Sequence, residues 1–191
     1  MIGNSINRIR AELTDTFNEV FGWFDVSAGL LNYAPSNGAW NVSLVLEHIS
    51  LTNQYLLILI RKGTAKALDR SKKNAVSPSL EGYDFNWQGL QAIGKHKSFK
   101  WNRPEHMEPG GNRQLEDVRK TLQLQLDECL LLLSQLENGE GVLYRTMMTV
   151  NGLGKIDVYQ YIYFLCQHAK RHITQLQRLR AEFFMNQHVN P

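Results

Sequence analysis

The sequence predicts an all-α fold, a four-helix bundle, and three observations carry that prediction. Four segments repeat apolar residues at three- and four-residue steps, the period of a helix with one buried face. No convincing strand alternation separates them, although LYRTMMTV (143–150) is compatible with extended chain. The chain has 191 residues, 43% of them hydrophobic, which is enough for one sizeable core and too apolar for disorder. Long amphipathic helices bury their stripes against one another, and a bundle does this in one domain.

The first helix carries Ile6, Ile9, Leu13, Phe17, Val20 and Phe24 on one face, with Asn4 or Ser5 as its cap. The second follows PSNGAWN, with Asn41 as N-cap. Val42, Val45, Leu46, Ile49, Leu56, Leu59 and Ile60 fill its apolar face, and Gly63 marks its stop. The third runs from about Leu115 to Leu136 on a stripe of Leu115, Val118, Leu122, Leu126, Leu130 and Leu133, with Glu116 and Asp117 favourable in its first turn. The fourth starts at Asp157, where Asp157 and Gln160 have the spacing of a capping box and Ile156 and Tyr161 that of a hydrophobic staple. It reaches about Phe184, a length of roughly 40 Å.

Residues 64–113 form a long, partly structured connection between the second and third helices. The segment is rich in Gly, Pro, Lys and Ser, but Tyr83, Phe85, Trp87, Phe99 and Trp101 suggest that it packs on the helices. With no repeat and no second domain in view, 1–191 reads as a single domain.

Composition excludes several classes. Lys and Arg total 21 against 18 Asp and Glu, a net +3 that is too balanced to argue for a nucleic-acid or membrane-surface protein. No signal peptide is visible, and the apolar runs YLLILI and CLLLLSQL are far shorter than a membrane span. Cys129 and Cys166 stand in separate segments with no CxxC pair, so neither a zinc ribbon nor a redox motif is supported, and a cytoplasmic setting is expected. The run GKHKSFKWNR (94–103) mixes basic and aromatic residues as single-strand binders do, but a solvated loop with two packing aromatics is the simpler reading. There is no HExxH, no Glu-x-x-His and no glycine-rich phosphate loop.

The stretch CQHAKRHITQ (166–175) carries the chemistry. His168 and His172 are four residues apart, so they lie about 40° apart on adjacent turns of one face, where two imidazoles can reach a single ion. On spacing alone two packing histidines are the more common reading. A third, His48, sits inside the second helix beside Leu44, Val45, Leu51 and Thr52, where periodicity places the buried stripe or its border. His96, His106 and His188 fall in expected loop or tail and are poor candidates. Cys166, about 200° round from His168, points away from any such site.

AWNVSLVLEHI (39–49) and GLGKIDVYQYIYFLCQHAKRHITQLQRL (152–179) resemble the DinB/YfiT-like family of bacterial four-helix-bundle metalloproteins. There a Trp and a capping residue open helix two, a histidine follows about two turns on, and the last helix carries HxxRHxxQ, matched by His168, Arg171, His172 and Gln175. RPEHMEPGGNRQLEDV, before the third helix, is similar too. The chain departs from the family at MMTVNGLG, which lacks its His-Pro pair, and over 64–113. The resemblance implies an up-down-down-up bundle with the long connection between helices two and three, a possible homodimer, and His48, His168 and His172 as ligands of one divalent transition metal: Zn, Ni, Fe or Mn. Three ligands leave positions open for water or substrate. Gln175, Tyr161 and Tyr55 share the faces of these ligands and are candidates for supporting contacts, with packing the alternative for each.

Three function classes follow: a thiol-dependent transferase acting on a low-molecular-weight thiol, a metal-dependent hydrolase using metal-bound water, and a non-catalytic metal or small-molecule binder. Three neutral imidazoles leave the ion's charge uncompensated, since no i±3 or i±4 neighbour is acidic and Glu47 is turned about 100° from His48. An anionic substrate, most simply a thiolate, is therefore expected, with neither nucleic acid nor membrane as partner.

Overall fold

The computed structural model describes residues 2–35, 38–99 and 104–189. Among these the regular structure is helical apart from one short hairpin. Helix α1 spans Ile2–Gly22 and buries Ile6, Ile9, Leu13, Phe17 and Val20. Because it starts at Ile2, Asn4 and Ser5 lie inside the helix and do not cap it. A 3₁₀ turn at Trp23–Asp25 buries Phe24, and the short α2 (Ala28–Leu31) is capped by Ser27.

Helix α3 runs over Val42–Ser71, and the Asn41 side chain accepts from the Leu44 amide at 2.9 Å. Gly63 does not stop it. The glycine is buried mid-helix, where an added Cβ would stand 3.1 Å from Val158 Cγ2 and 3.6 Å from Tyr144 Cδ1, so its smallness serves close packing. Its most apolar stretch is long enough to cross a membrane, yet 61% of that window is buried within the protein.

The connection therefore begins only after Ser71. It contains α4 (Ser77–Leu80), α5 (Trp87–Gly94) capped by Asn86, and a 3₁₀ turn at Glu105–Met107. Its aromatics do pack: Phe85 and Trp87 meet Tyr163 with ring centroids 5.6 and 4.9 Å away, and Tyr83 Oη donates to Asp157 at 2.7 Å. Phe99 lies against the core, whereas Trp101 is outside the described residues.

Helix α6 spans Leu115–Gln135, with Glu116 and Asp117 in its first turn as expected. Strand β1 (Arg145–Met148) pairs antiparallel with β2 (Gly154–Asp157). The first matches the extended stretch in the sequence; its partner was not anticipated. Helix α7 covers Val158–Val189, so His188 is in helix and not in a tail. Its start is the capping box: the Gln160 amide donates to Asp157 Oδ1 at 3.0 Å, and the Asp157 amide to Gln160 Oε1 at 3.1 Å.

Helix α7 is the centre of the molecule, packed on by α1, α3 and α5, while α6 packs on α1 and α3. Every residue from Ile156 to Ala169 is buried, which a helix shows only when it is covered on all sides. The cover on one of those sides is α5.

Candidate metal centre

Packing of α3 on α7 brings His48, in the second turn of α3, against His168 and His172, midway along α7. Candidate ligand atoms of the three histidines lie within 4.8 Å of one another. Ring centroids are 5.3 Å apart for His48 and His168, 4.7 Å for His48 and His172, and 4.5 Å for His168 and His172. His48 and His168 are buried, and His172 is partly exposed toward a cleft.

The surroundings fix which nitrogens face inward. His48 Nδ1 is 2.7 Å from the Met107 carbonyl, which can only accept, so Nδ1 carries the proton and Nε2 keeps its lone pair. Met107 is held there by a loop that Glu47 anchors: the buried carboxylate accepts from the amides of Gly110 and Gly111 at 3.2 and 2.9 Å. Gly111 has φ +72°, and Leu44 Cδ2 would stand 3.3 Å from any Cβ there, so the loop needs a glycine. The Trp40 ring lies against the imidazole of His48, centroids 4.8 Å apart.

His172 is oriented in the same way, its Nδ1 donating to Gln175 Oε1 at 3.0 Å, which leaves Nε2 as the acceptor. That Nε2 faces His168 Nε2 at 3.1 Å. Two nitrogens of a tetrahedral site with bonds of 2.0–2.1 Å are about 3.3 Å apart, so this pair is already spaced for one shared ion. Burial, and then the neighbouring imidazoles, hold His168 well below the usual histidine range; burial and His48 bring His172 to about 3. Both are therefore neutral at pH 7, the form that can ligate. The donor set fits a divalent transition ion.

The cluster forms one wall of a cleft of about 420 Å³. Around it stand Trp40, Thr52, Met107, Glu108, Arg171 and Gln175. Arg171 is fixed by bonds to the Lys95 carbonyl and Ser98 Oγ and lies 5.0 Å over the Phe99 ring. Met107 and Glu108 escaped the sequence reading, although both lie in the family-like stretch RPEHMEPGG.

The remaining candidates lie elsewhere. Tyr161 donates to the Met147 carbonyl at 2.9 Å and so ties α7 to β1; it does not line the cleft. Tyr55 packs on His106 at 4.2 Å and does not line it either. His96 borders a neighbouring cleft together with Trp40 and Gln175. Cys166 points away from the histidines as expected, against α1, 3.3 Å from Thr16 Oγ1. Burial raises the Cys129 thiol to about 12 and that of Cys166 to about 11, so neither is a nucleophile at neutral pH.

A family model described as the DinB superfamily matches residues 5–176, a span that holds all three histidines and the loop that orients them. No curated protein and no solved structure matches the chain.

Proposed function

The chain belongs to the DinB superfamily, and on that premise we propose that His48, His168 and His172 hold one divalent transition-metal ion, Zn, Ni, Fe or Mn, which activates a low-molecular-weight thiol for transfer. The observation that carries the metal reading is the convergence of three imidazoles, two of them with the outer nitrogen engaged by Met107 O and Gln175 Oε1. Bound there, the ion would supply Lewis acidity that makes a thiol or a water a nucleophile at neutral pH. The protein's part is to keep the imidazoles neutral and aimed, and to leave one side open to a cleft sized for a small molecule. Both cysteines are buried and high in pKa, so the reacting sulfur would come from a co-substrate.

Glu108 supports a second reading, a metal-dependent hydrolase. Glu108 lines the cleft, where its carboxylate could take a proton from water, a role for which the sequence offered no candidate. A non-catalytic binder is the third reading.

The same proposal covers architecture and partners. Links between α3 and α6 run in one sense, Ser50 to Gln125 and Arg61 to Glu128, which supports parallel middle helices and thus an up-down-down-up four-helix bundle. Exposed Ile58 and Leu59 on α3, with Leu124 and Leu131 on α6, support a homodimer. A cytoplasmic setting with no nucleic-acid or membrane partner agrees with the near-balanced charge.

Elemental analysis of untagged protein should find close to one transition-metal ion per chain, and His168→Ala or His172→Ala should lose most of it. Full occupancy in the triple His→Ala variant would sink the reading. Titrating Co²⁺-loaded protein with small thiols should give sulfur-to-metal charge-transfer absorption, and conjugation to an electrophile should follow, with His48→Ala as control. Ester or amide cleavage without thiol ligation would favour the hydrolase; neither signal would favour the binder.

A further inference from the structure

Thr52 follows His48 by one turn of α3, about 40° round the same face. Side chains on a helix tilt toward its N-terminus, so Thr52 leans back over the turn that carries His48. It is 3% exposed and lines the cleft at the three-histidine cluster. Its Oγ1 has no hydrogen-bond partner among the described residues.

That is unusual for this chain. Thr14, Thr16, Thr121 and Thr174 all sit in helices, and each donates to the carbonyl four residues before it. Thr52 does not use that outlet. Thr64 does not use it either, but Thr64 does not line the cleft at the histidines, which Thr52 borders. A buried hydroxyl with no acceptor is costly, and the cost is recovered when an acceptor arrives.

We propose that the Thr52 hydroxyl donates a hydrogen bond to the anion that completes the three-histidine site, and so selects anionic ligands over neutral ones. This rests on the metal reading above. The selection has a simple basis. A thiolate, azide or hydroxide keeps lone pairs on the ligating atom or next to it after coordination. A neutral imidazole spends its one available lone pair on the ion and offers only N–H and C–H edges. A donor that lines the cleft at the histidines would therefore strengthen the first class and do nothing for the second. Thr52 is a positioning and specificity residue for whichever anion reacts.

The test compares the Co²⁺-loaded wild type with Thr52→Val, which keeps shape and loses the hydroxyl, and with Thr52→Ser, which keeps the hydroxyl. Azide, 2-mercaptoethanol and imidazole are each titrated while the Co²⁺ spectrum is followed. In Thr52→Val the metal stoichiometry should hold. Azide and the thiol should weaken on the order of tenfold or more, the worth of one hydrogen bond to a charged group. Imidazole should stay within about twofold, and Thr52→Ser should recover most of the loss. If Thr52→Val misfolds, Thr52→Ala gives the same readout. Equal azide affinity in wild type and Thr52→Val, or equal weakening of azide and imidazole, overturns this proposal and leaves the metal reading standing. A wild-type protein that binds no Co²⁺ overturns both.

Discussion

His48 can be read in the sequence as a polar residue on an apolar stripe, but what aims it cannot. Its proton acceptor is the Met107 carbonyl, 59 positions away, and a backbone carbonyl leaves no trace in residue identity. Glu47 is legible only in hindsight. An acid beside a core histidine looked like a charge turned aside; it is buried, and it holds the loop that carries that carbonyl. Hence Glu47→Ala should loosen the metal without touching a ligand. Two loop amides would lose their acceptor, and the orienting bond to His48 would be lost with them. Removal of such an outer contact lowers metal affinity by about 10- to 100-fold. Competition with a chromophoric chelator measures it. Glu47→Gln keeps an acceptor oxygen and should fall between the two; unchanged affinity in Glu47→Ala would show that the loop does not orient His48. The His168 and His172 pair, by contrast, was legible because one helix sets its geometry.

Among the helices, boundaries were legible where a side chain does the capping and misleading where glycine had two possible uses. Asn41 and the Asp157–Gln160 box are where the sequence puts them, because each needs only residues within one turn. Gly63 was read as a stop, yet it lacks the positive φ of a left-handed cap and lies where α3 passes Val158 and Tyr144. Helix α5 and strand β2 went unseen because both depend on partners distant in sequence: α5 on α7, and β2 on β1 across a turn with Asn151 at φ 49°. The close approach at Gly63 makes a prediction. Gly63→Leu improves helix propensity by about 1 kcal/mol but forces a branched side chain into filled space, at a cost of about 1–3 kcal/mol or more. Urea denaturation should show a net loss of stability with unchanged secondary structure. A more stable variant would mean that α3 and the start of α7 are not packed as tightly as described.

Across the whole molecule, one ion would tie α3 to α7, joining positions 48 and 168 through a site that exists only when the two helices are packed. A ligand that binds the folded chain and not the unfolded one stabilises it by RT ln(1 + [L]/Kd), about 4 kcal/mol at a thousandfold excess over Kd. Removing metal with a chelator should therefore lower the melting temperature at pH 7.5, and adding it back should restore it. Acid adds a second effect, and its sign is fixed. His168 and His172 are depressed in the folded protein, His172 to about 3, while unfolded histidines titrate near 6.5. Below about pH 6.5 the unfolded chain binds protons that the folded chain refuses, so stability is full above that pH and falls as the pH drops toward the folded values. The folded chain keeps these nitrogens unprotonated down to the folded values, so protons compete little with the ion at His168 and His172 over that interval, and the metal-dependent part of the melting temperature should persist across it. Melting curves with and without chelator from pH 8 to 5 test both effects. The gap should persist across the range, while both proteins melt lower below about pH 6.5. His168→Ala combined with His172→Ala should show no gap and a flatter pH dependence. A gap that persists in that double variant would place the ion elsewhere.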